Sequence, residues 1–276
     1  MAETYNCPFC AERKGTPDTK GHLYFYGENK GWHCFRCGAH AGRGAPPGIA
    51  EASPSLDAFT ELGEPLGPDT PNHLSAAQPA WRFSRARRYL MERGITAETA
   101  EQSMILYAPV GWLRQRVIFP IRSGNEIVYY VARDVTGLSS RKYLNAPWGK
   151  NGLVYTVGRF PTDTVVVVEG VFDAYATDRA GWHSAAILGK RINAGQSRML
   201  ATLARRALVL LDADAYSSAL EVSFQLSYYM PTRRVELPRG KDPDSYARND
   251  LRALLGKAMK EWADAEEPKE AKLVRS

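Results

Sequence analysis

The sequence predicts an α/β protein built on a parallel-sheet core, with a small cysteine-bearing module at its N-terminal end and an α+β subdomain between the two. Three observations predict it. Apolar strand patterns alternate with helical ones from Thr164 onward, and all four cysteines fall within the first 37 residues as two CxxC pairs. Gly and Pro crowd a stretch after the cysteines, separating them from the rest.

The cysteine pairs are Cys7-Pro8-Phe9-Cys10 and Cys34-Phe35-Arg36-Cys37. Each knuckle offers two thiolates from one tight turn, which matches a tetrahedral four-cysteine site for one structural Zn²⁺ better than a redox thiol pair. Between them, residues 22–26 and 30–34 read as two strands joined by Gly27-Glu28-Asn29, so residues 1–40 form a zinc ribbon. His22, His33 and His40 are read as surface or packing residues rather than ligands. So small a module has too little core to fold unaided, and metal binding worth roughly 10–16 kcal/mol would dominate its stability. Tyr24, Tyr26 and Trp32 are interleaved with Arg13, Lys14, Lys20, Lys30 and Arg36. Aromatic faces stack on unpaired bases while cations meet phosphates, which makes Tyr24, Trp32 and Arg36 candidate DNA contacts; a purely structural zinc is the alternative.

Residues 41–80 read as a flexible linker with a short helical turn at Ser55–Phe59, and a coil of that length spans about 35 Å r.m.s.. Residues 81–160 then form the α+β subdomain. A helical pattern over 84–93 is closed by Gly94, and Thr96 caps a second helix. Residues 117–122 and 127–133 make a β-hairpin turning at Ser123-Gly124-Asn125. Arg114, Arg116, Arg122, Arg133, Arg141, Lys142 and Lys150 are each ordinary surface charges alone, but together they suggest a basic face.

From residue 161 to 245 the spacing predicts strands at 165–168, 184–188, 207–211 and 233–237, with helices near 171–180, 194–204 and 217–229 between them. Such alternation implies βαβ units and a parallel sheet covered on both faces. The runs Val165–Val168 and Ala207–Leu211 are apolar throughout, as doubly buried strands should be. Glu169-Gly170 follows the first and Asp212-Ala213-Asp214 the second. Chemistry in open parallel sheets gathers beyond the carboxyl ends of the strands. If these strands are neighbours, three carboxylates meet at one rim, where two charges about 4 Å apart repel by about 4 kcal/mol at an effective dielectric near 20. A hard divalent cation, Mg²⁺ or Mn²⁺, would remove that cost. Gly170 is read as easing the turn. The bland alternative makes Glu169 and Asp214 simple helix caps. Residues 246–276 supply a C-terminal amphipathic helix, near 251–262, and a charged tail that frays from Ala265.

Glu169-Gly170 with Asp212-x-Asp214 resembles the TOPRIM module of topoisomerases and primases. Tyr89–Ile95, Arg116–Ile121, Lys142–Pro147, Val168–Asp173 and Leu237–Asp244 are similar, in order, to segments of the DnaG-type primases. The resemblance spans nearly everything outside the linker and the last thirty or so residues, and the four-cysteine ribbon is more like phage members. It implies that Glu169 is the catalytic acid, that Asp212 and Asp214 hold metal, and that Asp173 and Asp242 shape an outer acidic cluster. It also implies that Arg116, Arg133, Lys142, Lys150 and Lys241 meet template or nucleotide phosphates. Two positions depart from the family: Ala213 and Ala215-Tyr216 around the second acid pair, and Lys190 after Gly189, where the family has Gly-Thr. These put nucleotide positioning, not the metal ligands, in question.

The expected activity is therefore DNA-dependent synthesis of short RNA primers from NTPs on single-stranded DNA, with a separate replicative helicase as partner. The alternatives are a RecR-type recombination mediator, which also joins a four-cysteine zinc element to a TOPRIM fold, and a TOPRIM nuclease. No phosphate loop of helicase type occurs. The 24% charged content argues against wholesale disorder, and a net charge of +6 mildly favours a polyanionic partner. With no bilayer-length apolar run and no basic-then-apolar leader, the expected location is the cytoplasm, that of the host if phage-encoded.

Overall fold

A computed structural model of the chain describes residues 3–7, 9–25, 32–41, 73–147 and 149–266. The chain divides into two units, residues 1–60 and 61–276. Tyr26, Lys30, the Gly27-Glu28-Asn29 connection, the Ser55–Phe59 turn and the tail beyond 266 lie outside the described residues.

In the first unit, β1 (Glu3–Tyr5), β2 (Leu23–Phe25), β3 (Trp32–Cys34) and β4 (His40–Ala41) pair antiparallel in that order, with α1 (Cys10–Lys14) after the first knuckle. Leu23, Trp32, Ala39 and the cysteines form its small core, Trp32 stacking on Phe9 at 5.4 Å between ring centroids. Asp18 holds the first knuckle. Its buried carboxylate accepts the N–H groups of Cys7 (2.9 Å), Lys20 (3.0 Å) and His22 (2.7 Å), and meets His22 Nδ1 at 2.6 Å. Burial alone would raise its pKa; the Cys7 N–H and the other donors outweigh burial and hold it near about 2.

The second unit begins before the expected end of the linker. Residues 73–76 form a turn, His73 Nδ1 lies 2.8 Å from the Tyr130 hydroxyl, and β5 (Gln78–Pro79) pairs with β6. Then come α2 (Ser84–Glu92), α3 (Ala97–Gln102), β6 (Leu106–Ala108), β7 (Arg116–Ser123), β8 (Glu126–Asp134) and β9 (Tyr143–Asn145). Thr96 caps α3 by accepting the Thr99 N–H at 3.2 Å. Strands β5 to β9 make one antiparallel sheet in chain order.

The second sheet runs β10 (Tyr155–Val157), β12 (Ser184–Ala186), β11 (Thr162–Val168), β13 (Ala204–Val209), β14 (Thr232–Arg234). Its last four strands are parallel, joined by α4 (Val171–Arg179), α5 (Ala194–Leu203) and α6 (Tyr216–Ser227); β10 adds an antiparallel edge that the strand–helix alternation did not announce. Alternate side chains of β11 and β13 enter different cores. Val166, Val168, Leu208 and Leu210 face a core shared with the first sheet, and Val165, Val167, Ala207 and Val209 face α5 and α6. That two-sided burial explains the unbroken apolar runs. Phe119 from β7 joins the layers, edge-on to Phe172 of α4 at 5.2 Å and to Tyr155 at 6.0 Å. The C-terminal helix α7 (Arg248–Glu266) packs on α4 and buries Leu251, Leu255 and Trp262. None of the described helices is long and apolar enough to cross a membrane.

Two outcomes follow from these contacts. Asp18→Ala leaves three N–H groups without their acceptor and is expected to destabilise the ribbon by about 1–3 kcal/mol, seen as faster zinc loss to a chelator. Asp18's contribution is present above the unfolded carboxylate pKa and disappears as pH falls through about 2. Gly94, at φ +67°, would place a Cβ 2.9 Å from the Arg179 side chain, so Gly94→Ala is expected to cost about 1–2 kcal/mol in a denaturant titration.

Candidate functional site

The sulfur atoms of Cys7, Cys10, Cys34 and Cys37 lie within 4.8 Å of one another. Cys7 and Cys37 are 3.6 Å apart and Cys10 and Cys34 are 3.7 Å apart. A tetrahedron with Zn–S bonds near 2.3 Å has S···S edges of about 3.8 Å, so these spacings fit zinc. Burial and then the Cys34 thiol push Cys10 up to about 11 and Cys7 higher still. A bound dication would favour the thiolates and offset that cost. His33 and His40 stack on each other at 5.8 Å, and no histidine joins the cysteine group among the described residues.

The expected DNA contacts of the ribbon are placed differently from the sequence reading. Tyr24 and Trp32 are buried, Tyr24 edge-on to Phe35 and Trp32 on Phe9. Arg36 donates to the Thr16 and Pro17 carbonyls and the Thr16 hydroxyl. A module this small spends its aromatics on its own core, and carbonyls at a loop end take up the guanidinium.

At the C-terminal edge of the second sheet, β11 and β13 are parallel neighbours, Val167 opposite Val209. Leu210 N–H donates to the Val167 carbonyl at 2.8 Å, which carries the pairing one step past the strand. Glu169 and Asp212 therefore emerge side by side. The Ala213 N–H donates to the Lys241 carbonyl at 3.0 Å, tying the acid loop to the Asp242-Pro243-Asp244 segment. Neither Glu169 nor Asp214 caps a helix. Gly170 is the N-cap of α4 and Ala215 that of α6.

Glu169 Oε2 and Asp212 Oδ1 are buried and have no hydrogen-bond partner. Asp214 is exposed and pairs with Lys190 Nζ at 3.0 Å. Asp173 is buried, accepting the Gly170 N–H at 3.1 Å and the Asp244 N–H at 3.3 Å. Asp242 caps the turn 243–245 through the Ser245 N–H at 2.8 Å. Gly170 is extended at φ −121°, so its conformation demands no glycine; a Cβ there would lie 3.0 Å from Asp173 Oδ2, and that approach is the constraint. Among the described residues the cysteines alone form a tight metal-ligating group, so the acids stand farther apart than a closed single-ion donor set. The orphaned oxygens of Glu169 and Asp212, with hard carboxylate chemistry, nonetheless fit Mg²⁺ or Mn²⁺.

The basic residues fall into two kinds. Arg116 is buried, and its guanidinium donates to the Lys142 and Arg141 carbonyls and to Ser139. Through these bonds it shapes the loop after β8. Lys150 Nζ donates to the carbonyls of Ile187 (3.1 Å) and Leu188 (2.6 Å). Burial lowers its pKa, while Glu169 opposite raises it. Arg133 donates to the Tyr89 hydroxyl at 2.9 Å and lies over Tyr143, whereas Lys142 and Lys241 are exposed.

A network that sequence reasoning missed joins the sheets. Arg179 donates to the Arg93 carbonyl and approaches Asp244 at 3.9 Å. Arg93 in turn lies over Tyr89 and Phe172. The one trace of it in the sequence is Gly94, whose bare α-carbon makes room for Arg179.

With this geometry in view, the DNA primase of Escherichia coli K12 is 26% identical over 324 aligned residues, covering 88% of this chain and 54% of that protein. The DNA primase of Clostridium acetobutylicum is 25% identical over 218 residues, covering 60% and 36%. The chain is related to the DnaG-type DNA primases. Among solved structures, the DnaG catalytic core matches with a TM-score of 0.54 at 25% identity, covering 67% of this chain and 75% of that one. The zinc-binding and RNA polymerase domains of the Aquifex aeolicus primase share the fold across 93% of this chain and 80% of theirs, with a TM-score of 0.58 at 18% identity. No family model matches. The chain spans 36% to 54% of the length of these curated primases.

Burial first, and then neighbouring carboxylates, push Glu169, Asp173 and Asp212 above the usual carboxylate range; Lys190 offsets part of this at Glu169 and Asp212. A carboxyl that holds its proton more tightly when folded adds stability below its unfolded pKa and loses it as pH rises through its folded value. The metal-free acidic edge is therefore expected to become more stable as pH falls from neutral toward about 4. Hydrogen-exchange protection factors of the β11 and β13 amides in the full-length chain, corrected for the intrinsic slowing of exchange with falling pH, should rise over that interval; falling protection would show that the carboxylates are not strained by one another.

Proposed function

We propose that this chain is the zinc-ribbon and RNA-polymerase portion of a DNA primase, synthesising short RNA primers from NTPs on a single-stranded DNA template. The observation that carries this reading is the register of β11 against β13, which brings Glu169 beside Asp212 with an unpartnered oxygen on each. The relatives' names and the fold likeness to the DnaG core support it. A related solved structure is a DnaG primase catalytic domain bound to ssDNA, which supports a single-stranded template here. A separate replicative helicase is the partner this role calls for. The proposed domains are the ribbon over 1–40, a linker over 41–80, the basic subdomain over 81–160, the TOPRIM subdomain over 161–245 and the terminal helix over 246–276.

In this reading Glu169, Asp212 and Asp214 hold Mg²⁺ or Mn²⁺, with Asp173 and Asp242 behind them. The bound dication supplies charge neutralisation at a triphosphate and a more acidic attacking hydroxyl. The protein's own groups do the positioning. Asp173 holds the Asp244 backbone against α4, and Arg179 of the same helix approaches the Asp244 carboxylate. Lys150 fixes the exit of β12. Exposed Lys142 and Lys241 offer charge to template and nucleotide phosphates, and Arg133, oriented by Tyr89, stands beside Tyr143.

Labelled single-stranded DNA incubated with NTPs and Mg²⁺ should yield new short RNA. Shortened DNA would indicate a nuclease, and DNA bound but unchanged a mediator. Asp212→Ala and Glu169→Gln are expected to reduce RNA synthesis at least about a hundredfold while DNA retention persists. Robust synthesis by either variant would overturn the assignment.

A further inference from the structure

Lys190 stands where the DnaG-type pattern has a small hydroxyl residue, and the structure gives it a defined place. Beyond β12 the chain turns through Leu188 (φ 60°) and Gly189 (φ 142°). The Gly189 N–H donates to the Glu169 carbonyl at 3.2 Å, and Lys150 binds the carbonyls of Ile187 and Leu188. The loop carrying Lys190 is thus pinned to the acidic edge from two sides. From there Lys190 Nζ reaches Asp214 Oδ2 at 3.0 Å. Glu169 and Asp212 also lie within its electrostatic reach. Both partners of the pair are open to water, Lys190 at 45% and Asp214 at 74% side-chain exposure. An exposed ion pair is weak and exchanges readily. The buried oxygens of Glu169 and Asp212 have no such partner.

We infer that Lys190 is a tethered counter-ion of the acidic edge, one that a divalent cation must displace from Asp214 in order to bind. The inference rests on the proposed metal reading of Glu169, Asp212 and Asp214. It gives this chain a metal dependence of its own. The ammonium competes for one ligand and repels the incoming dication, so Lys190 lowers metal affinity and makes it sensitive to salt.

Mn²⁺ binding to the zinc-loaded full-length chain, read by loss of the free-ion EPR signal, tests this without any turnover. Lys190→Ala is expected to bind Mn²⁺ about two- to fivefold more tightly at low ionic strength, the range an exposed pair can supply. The gain should shrink at high salt, Lys190→Arg should stay near the parent, and Lys190→Ala should gain less in an Asp214→Asn background, where only the repulsion is left to remove. Unchanged or weaker binding by Lys190→Ala, with Glu169→Gln, Asp212→Asn and Asp214→Asn all impaired, overturns the role of Lys190 and leaves the metal reading in place. Parent-like Mn²⁺ binding by all three acid variants overturns the metal reading itself, and the Lys190 inference with it.

Discussion

Parallel pairing of β11 with β13 is the constraint to which the rest of the second unit answers. Neighbouring strands lie about 4.7–4.9 Å apart, so two acidic residues leaving adjacent strands at the same level stand within strong mutual repulsion. The chain cannot relax this by moving the strands, because their side chains are locked into two cores at once. It relaxes it with local charge and donors. Lys190 takes Asp214, two backbone N–H groups take Asp173, and Arg179 approaches Asp244. Glu169 and Asp212 keep an oxygen each without a partner, and that residual cost is what a dication would remove.

How far the sequence could be read depended on the range of the interaction. Val165–Val168 and Ala207–Leu211 were legible as doubly buried strands because burial on both faces removes the usual alternation. Their adjacency was only a conditional expectation, since strand order is set by packing at long range. The edge strand β10 and the short strands β5, β6 and β9 left little periodicity to find at two or three residues each. The cysteine cluster was fully legible, because ligand type and spacing are themselves the signal. Asp18 was not: three of its partners are backbone N–H groups, which carry no residue identity.

The same reason explains the placement of the ribbon's aromatics and of two cations. Tyr24 and Trp32 look like stacking platforms in a string of residues with cations between them. In a ribbon with hardly any aliphatic core, such rings are the core. Arg36 and Arg116 look like phosphate contacts, yet each guanidinium offers five donors, and a loop end with bare carbonyls can use several. In both cases the sequence shows the charge and conceals the acceptor.

Net charge therefore overstates the surface available to a polyanion. Arg36, Arg116, Lys150 and Arg179 count toward the +6, yet each gives one or more donors to carbonyls or hydroxyls of the protein. Their electrostatic field still reaches solvent, but they cannot follow a moving backbone phosphate without giving up the loop they hold. Lys142 and Lys241 can, being exposed, and both lie on segments that such anchored cations or the acid loop keep in place: the Arg116 guanidinium holds the Lys142 carbonyl, and the Ala213 N–H holds the Lys241 carbonyl. Anchored cations set the backbone, and exposed ammonium groups carried on that backbone keep their charge open to solvent. A single basic stripe in the sequence thus resolves into two populations with different physical work.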